Sequence, residues 1–242
     1  MMNGNTFAWR GFSGTEVGPL HQRLGLPNQD SCHLELENDL VLVAVSDGLG
    51  SKSLSHIGSQ AVCRAVVRVA RHYMSALVIE PLLVIELFHS FWLEELNGAD
   101  VGQCGCTALF AIVLGDNTFI AQVGDGDCCI ITSAQDEQQI YFLTDKDDGL
   151  FANQTHSLGK KNQIGQWNFC LQPTAELEAC FLVTDGIADD LASEHRIGFY
   201  RELLSQYRQL SDIEVSRDVK HWISQWPVTG HSDDKTIAAL YR

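Results

Sequence analysis

Positive charge is scarce in this 242-residue sequence. Lys and Arg number 16 against 31 Asp and Glu, a formal net charge of −15. That balance excludes broad nucleic-acid binding or docking on an anionic membrane, since both need a basic face. Long apolar runs are missing as well. The longest candidate, Leu82 to Leu96, is cut by Glu86, His89, Ser90, Glu94 and Glu95, so no transmembrane helix is expected. The first ten residues hold no apolar stretch behind a basic start, so no signal peptide is expected. A cytoplasmic setting is expected, with the eight Cys reduced. Zinc spacing is lacking: Cys104-Gly-Cys106 and Cys128-Cys129 are not C-x-x-C pairs, and no H-x-x-x-H tract accompanies them. The cysteines read as small core hydrophobes. Proline is rare, with five residues, and neither a repeat nor a low-complexity tract appears. One domain over residues 1–242 is expected.

What is present is a globular composition, 45% hydrophobic and 19% charged. The acids divide into 18 Asp and 13 Glu. Asp is the commoner turn former and metal ligand. Leu40–Ser46 is a short β-branched run and predicts a buried strand. Leu54, Ile57, Ala61, Val62, Ala65, Val66, Val69, Ala70 and Tyr73 form a helical stripe, with Ser51, Ser53 and Ser55 as candidate N-caps. Pro81 opens a second helix that Gly98 ends. Thr107–Leu114 and Thr118–Val123 flank a Gly115-Asp116-Asn117 turn. Strands are predicted at 128–132, 139–143, 166–171, 179–184 and 236–241, with helices near 196–210 and 213–226. Residues 144–165 are polar and aperiodic, and read as a loop or flap. Segregated helices and hairpin-linked strands indicate α+β, with antiparallel sheets covered by helix pairs. Trp92, Trp222 and Trp226 fall on apolar helical stripes and are expected in the core.

Three strands end alike: at Ser46-Asp47-Gly48, Gly124-Asp125-Gly126 and Thr184-Asp185-Gly186. A fourth begins with Asp233-Asp234-Lys235-Thr236, and Asn28-Gln29-Asp30 offers another acid. In antiparallel sheets one strand's end lies beside its neighbour's start, so these acids can meet at one edge. Gathered carboxylates repel and desolvate each other unless a cation sits among them. An oxygen donor set without His or Cys favours Mg(2+), Mn(2+) or Ca(2+). A single Asp-Gly is ordinary turn chemistry; the joint pattern carries the reading. The calcium loop D-x-[DN]-x-[DN]-G is not matched at Asp125.

The ordered series NQD (28–30), SDGLGS (46–51), GCTAL (105–109), VGDGD (123–127), LVTDGIADDL (182–191) and SDDKT (232–236) resembles the type-2C metal-dependent serine/threonine protein phosphatases, bacterial-type branch. The resemblance implies a four-layer αββα sandwich and two Mg(2+) or Mn(2+) ions at one end of the sheets, with a third ion in bacterial relatives. It implies that Asp47 bridges the ions, that the Gly48 carbonyl binds one, and that Asp185 and Asp233 bind the other. Asp30 would hold metal-bound water, and Asp125 would serve the third ion. Residues 144–165 fall where the family has its flap. Hydroxide would attack phosphoserine or phosphothreonine directly, so no protein nucleophile is needed. The family's phosphate-holding Arg is absent from positions 24–27. His21 and Arg23 are the nearest substitutes, with His21 as phosphate contact or proton donor. The usual Arg after the GDS acid is absent too. The implied partner is a phosphorylated protein, opposed to a Ser/Thr kinase, with the phosphatase acting as a monomer. Two other readings are a catalytically weak phosphoprotein-binding regulatory module on the same fold, and a hydrolase of small phosphoesters.

Overall fold

The computed structural model describes residues 8–37, 40–76, 78–134, 137–144 and 156–242. One five-stranded antiparallel sheet contains β1 (Arg10–Glu16), β6 (Asp127–Ala134), β7 (Glu137–Phe142), β9 (Leu177–Val183) and β10 (Lys235–Tyr241), in the order β1-β10-β9-β6-β7. The other contains β2 (Ser31–Glu37), β3 (Leu40–Ser46), β4 (Ala108–Leu114), β5 (Asn117–Val123) and β8 (Asn168–Pro173), in the order β2-β3-β4-β5-β8. Helices α2 (Ser55–Tyr73) and α3 (Pro81–Glu95) cover the second sheet, while α5 (Ser193–Tyr207) and α6 (Asp212–Ser224) cover the first. Two short helices, α1 (Pro19–Leu24) and α4 (Asp185–Ala188), lie in connections.

Alternation along the strands produces the layers. Val43 and Val45 of β3 face Cys180 and Leu182 of β9 across the middle of the sandwich. Their neighbours Leu42 and Ala44 turn to α2 and α3, and Phe181 and Val183 turn to α5 and α6. The result is the expected αββα sandwich. Trp92 is fully buried beneath α2, its indole N–H donating to the Gly58 carbonyl at 3.1 Å. Six of the eight cysteines are buried thiols, in keeping with their reading as core residues. No helix among the described residues is long and apolar enough to cross a membrane.

Several local expectations are corrected. The N-cap of α2 is Leu54, without a side-chain cap, and Ser53 instead hydrogen-bonds Gln103. The predicted 166–171 strand begins at Asn168 because residues 164–166 form a single 3-10 turn. Trp222 and Trp226 are only partly buried, because each turns its indole N–H to a partner: Tyr207 Oη at 2.9 Å and Asp190 Oδ2 at 2.6 Å. Strand β1 and helix α1 escaped prediction. β1 has only Phe12 buried and carries two glycines. At Gly11 a Cβ would lie 2.6 Å from the Ala239 carbonyl, so pairing with β10 leaves no room for a side chain. Of the flap-like segment 144–165, residues 145–155 lie outside the described residues. Its later part is held to the body: Leu158 N donates to Cys106 O at 2.8 Å, and His89 Nε2 lies 2.8 Å from Gly159 O.

Candidate metal centre

Asp47 leaves the end of β3 under firm backbone control. Its N–H donates to Thr107 Oγ1 at 2.9 Å, and its carbonyl accepts from Thr107 N at 2.8 Å. Ser46 Oγ donates to Thr107 O at 2.6 Å. The GCTAL segment thus serves as a splint for SDGLG. Gly48 is required by crowding: a Cβ there would lie 2.7 Å from the Gln29 carbonyl and 2.8 Å from Ser55 Cβ. Asp125 sits in the β5–β6 turn after Gly124, whose φ of 117° and close approach to Thr107 exclude other residues. Asp185 opens α4 directly after β9.

These three strand ends converge as their positions predicted. Asp47, Asp125 and Asp185 each place a carboxylate oxygen so that all lie within 4.8 Å of one another. Asp30 adjoins them, hydrogen-bonded to Asp47 and accepting from Thr184 Oγ1 at 2.8 Å. Asp233 is exposed at the rim, outside the triad. Burial first, and then mutual repulsion, disfavours the charged forms. Asp47 is raised well above the usual range by desolvation and by Asp30, Asp233 and Asp125. Asp185 is pushed up to about 8 by desolvation and the neighbouring acids. Asp30 rises to about 7, chiefly through burial. An oxygen-only donor set whose members repel one another fits a hard divalent cation.

The other predicted residues stand apart from the triad. His21 is buried on α1, its Nδ1 2.9 Å from Asp234 Oδ2. Arg23 is exposed on the same helix. Asp234 is a hub: it also accepts from Gly18 N at 2.7 Å and Gln29 N at 2.6 Å, tying α1 and the NQD loop to β10. Sequence reasoning gave Asp234 no such part.

It also missed Lys235. This lysine is buried, donates to Asp233 O at 3.0 Å, and lies 2.9 Å from His231 Nδ1. Desolvation lowers its pKa despite the surrounding acids. With Asp185, Asp189, Asp190, His231 and Asp233 it lines a cavity of about 230 Å³ beside the triad. SDDKT contains this lysine, but nothing local distinguishes it from a solvated one.

Residues 17–226 match the family model described as protein phosphatase 2C. Serine/threonine-protein phosphatase 3 of Escherichia coli K12 is 27% identical over 197 residues, covering 74% of each chain. Among solved structures, the catalytic domain of serine threonine protein phosphatase PstP in complex with two manganese ions superposes with a TM-score of 0.64 at 16% identity, covering 96% of this chain and 97% of that one. Serine/threonine phosphatase Stp1 of Staphylococcus aureus gives a TM-score of 0.64 at 15% identity, covering 96% and 94%. At these identities the structural likeness is one of fold. The family match spans most of the chain, and on that ground this chain belongs to the protein phosphatase 2C family of phosphoprotein phosphatases.

Proposed function

We propose that the chain removes phosphate from phosphoserine and phosphothreonine of protein substrates in a divalent-metal-dependent reaction, opposing a Ser/Thr kinase. The observation that carries this reading is the convergence of Asp47, Asp125 and Asp185 on one point. Asp47, with the Gly48 carbonyl, Asp185 and Asp233, would hold two Mg(2+) or Mn(2+) ions, and Asp125 with Asp185 a third. Bound there, such ions lower the pKa of a shared water and stabilise in-line displacement at phosphorus. Asp30 keeps its place through the hydroxyls of Thr184 and Thr236 and orients water at the centre. His21, fixed by Asp234, and Arg23, on the same short helix, supply the phosphate contacts that the family's missing Arg would make. The Mn(2+) ions of PstP, a protein of the same fold, support the choice of metal.

Hydrolysis of a phosphothreonine peptide, measured with and without Mn(2+) and alongside small phosphoesters, tests this reading. We expect metal-dependent turnover that favours the peptide and is lost in Asp47→Asn and Asp185→Asn. Folded protein inactive with both Mn(2+) and Mg(2+) would overturn it.

A further inference from the structure

Two residues beyond Asp125 the chain treats another aspartate quite differently. Asp127 is 1% exposed and opens β6. Arg196 of α5, 8% exposed, grips it with a fork: Nε to Oδ2 at 3.1 Å and a terminal guanidinium nitrogen to Oδ1 at 2.7 Å. Tyr200 Oη donates to Oδ2 at 3.0 Å. The Arg196 guanidinium also lies 4.0 Å from the centre of the Phe142 ring, at the end of β7.

A planar fork fixes orientation as well as distance. Here it joins β6, which starts two residues after Asp125, to α5, the helix that follows the one Asp185 opens. Asp125 is linked to Asp127 through Gly126 alone, where any Cβ would run into the Val183 carbonyl. Asp127 pairs in register with Val183 of β9, two residues before Asp185. Arg196 lies on the helix that follows α4, which Asp185 opens. The turn after Asp125 thus carries a second acid, Asp127, whose cation reaches it from α5.

We propose that Arg196, through Asp127, is a positioning residue. It sets the separation of Asp125 from Asp185 and thereby the affinity for a divalent cation that needs Asp125. This rests on the metal reading above.

Two buried charges are costly to assemble, and an apolar pair of similar volume often restores stability while a lone survivor does not. That difference separates positioning from support. Mn(2+) binding by the whole chain is measured calorimetrically for wild type, Asp125→Asn, Arg196→Met, Arg196→Lys and the double variant Asp127→Leu/Arg196→Met, each also melted in EDTA. For Asp125→Asn, Arg196→Met and the double variant we expect one Mn(2+) step weakened about tenfold or more, the range seen when supporting partners of metal ligands are removed. The remaining steps keep wild-type affinity. Arg196→Lys recovers part of the loss, because it keeps the charge without the fork. The double variant recovers melting temperature in EDTA but not the weakened step. Wild-type affinity at every step in the double variant would overturn the proposal and leave Arg196 a purely structural residue. Absence of Mn(2+) binding by wild type would instead fell the metal reading, and this inference with it.

Discussion

Asp125 and Asp127 sit at one crossing from β5 to β6, between the two sheets, with a single glycine between them, yet they belong to opposite electrostatic regimes. Asp127 is paired, with a guanidinium fork and a phenol on its oxygens. Asp125 faces Asp47 and Asp185, carboxylates that burial and mutual repulsion hold well above their ordinary range. One cluster satisfies its charge within the fold. The other gathers like charges at a cost that protonation, or a bound cation, would relieve. Acids assembled against their own repulsion mark a candidate functional site, whereas a buried ion pair alone marks architecture.

The largest effect that can break this comparison is on catalysis. Asp47→Asn removes the acid shared by the proposed ions. Phosphopeptide turnover should fall at least about 10³-fold, equivalent to about 4 kcal/mol of lost transition-state stabilisation. Steady-state kinetics at saturating Mn(2+) measures it.

Stability should respond with opposite signs in the two clusters. Arg196→Met strands the buried Asp127 carboxylate and should cost about 3–5 kcal/mol in denaturant unfolding in EDTA. Asp47→Asn relieves repulsion and should stabilise the metal-free chain in the same experiment. Destabilisation by both would contradict the comparison.

His21→Ala comes next, with at least about a tenfold loss of activity, modest for a proton-transfer or phosphate-contact group. Asp234 keeps its bonds to Gly18 and Gln29 in this variant. Unchanged kcat and KM would remove His21 from the site.

The smallest effect is a pH trend. Asp30 and Asp185 titrate near 7 and 8 in the fold but near 3.8 when unfolded. Between those values the folded chain binds more protons, so its metal-free stability falls as pH rises. The melting temperature in EDTA should be a few degrees higher at pH 5.5 than at pH 8. Mn(2+) should cancel the trend, because binding needs the acids deprotonated.

The layers were legible because period-2 and helical stripes report which face is buried. β3, α2, β4, β5 and β9 all fall where those stripes place them. The triad was legible for a related reason. Each acid ends a strand, and antiparallel pairing brings strand ends to one edge. What escaped depends on distance across the chain. β1 lacks an apolar stripe, since Gly11 serves close contact with β10 and Gly14 lies against Val219 and Ile223 of α6. The roles of Asp234 and Lys235 come from partners brought together by folding. The Arg196–Asp127 fork spans 69 positions, and no local pattern announces such a pairing.

The net charge of −15 likewise resolves into parts: a few repelling acids at one edge, Asp127 and Asp234 buried among hydrogen-bond partners, and the remainder largely on the surface. The most direct test of the repelling set is an anomalous difference map from a crystal soaked in Mn(2+). The account predicts Mn(2+) peaks contacting Asp47, with Asp125 and Asp185 among the ligands. A well-ordered Asp47–Asp125–Asp185 cluster without a peak, in a crystal whose protein hydrolyses phosphopeptide, would contradict it.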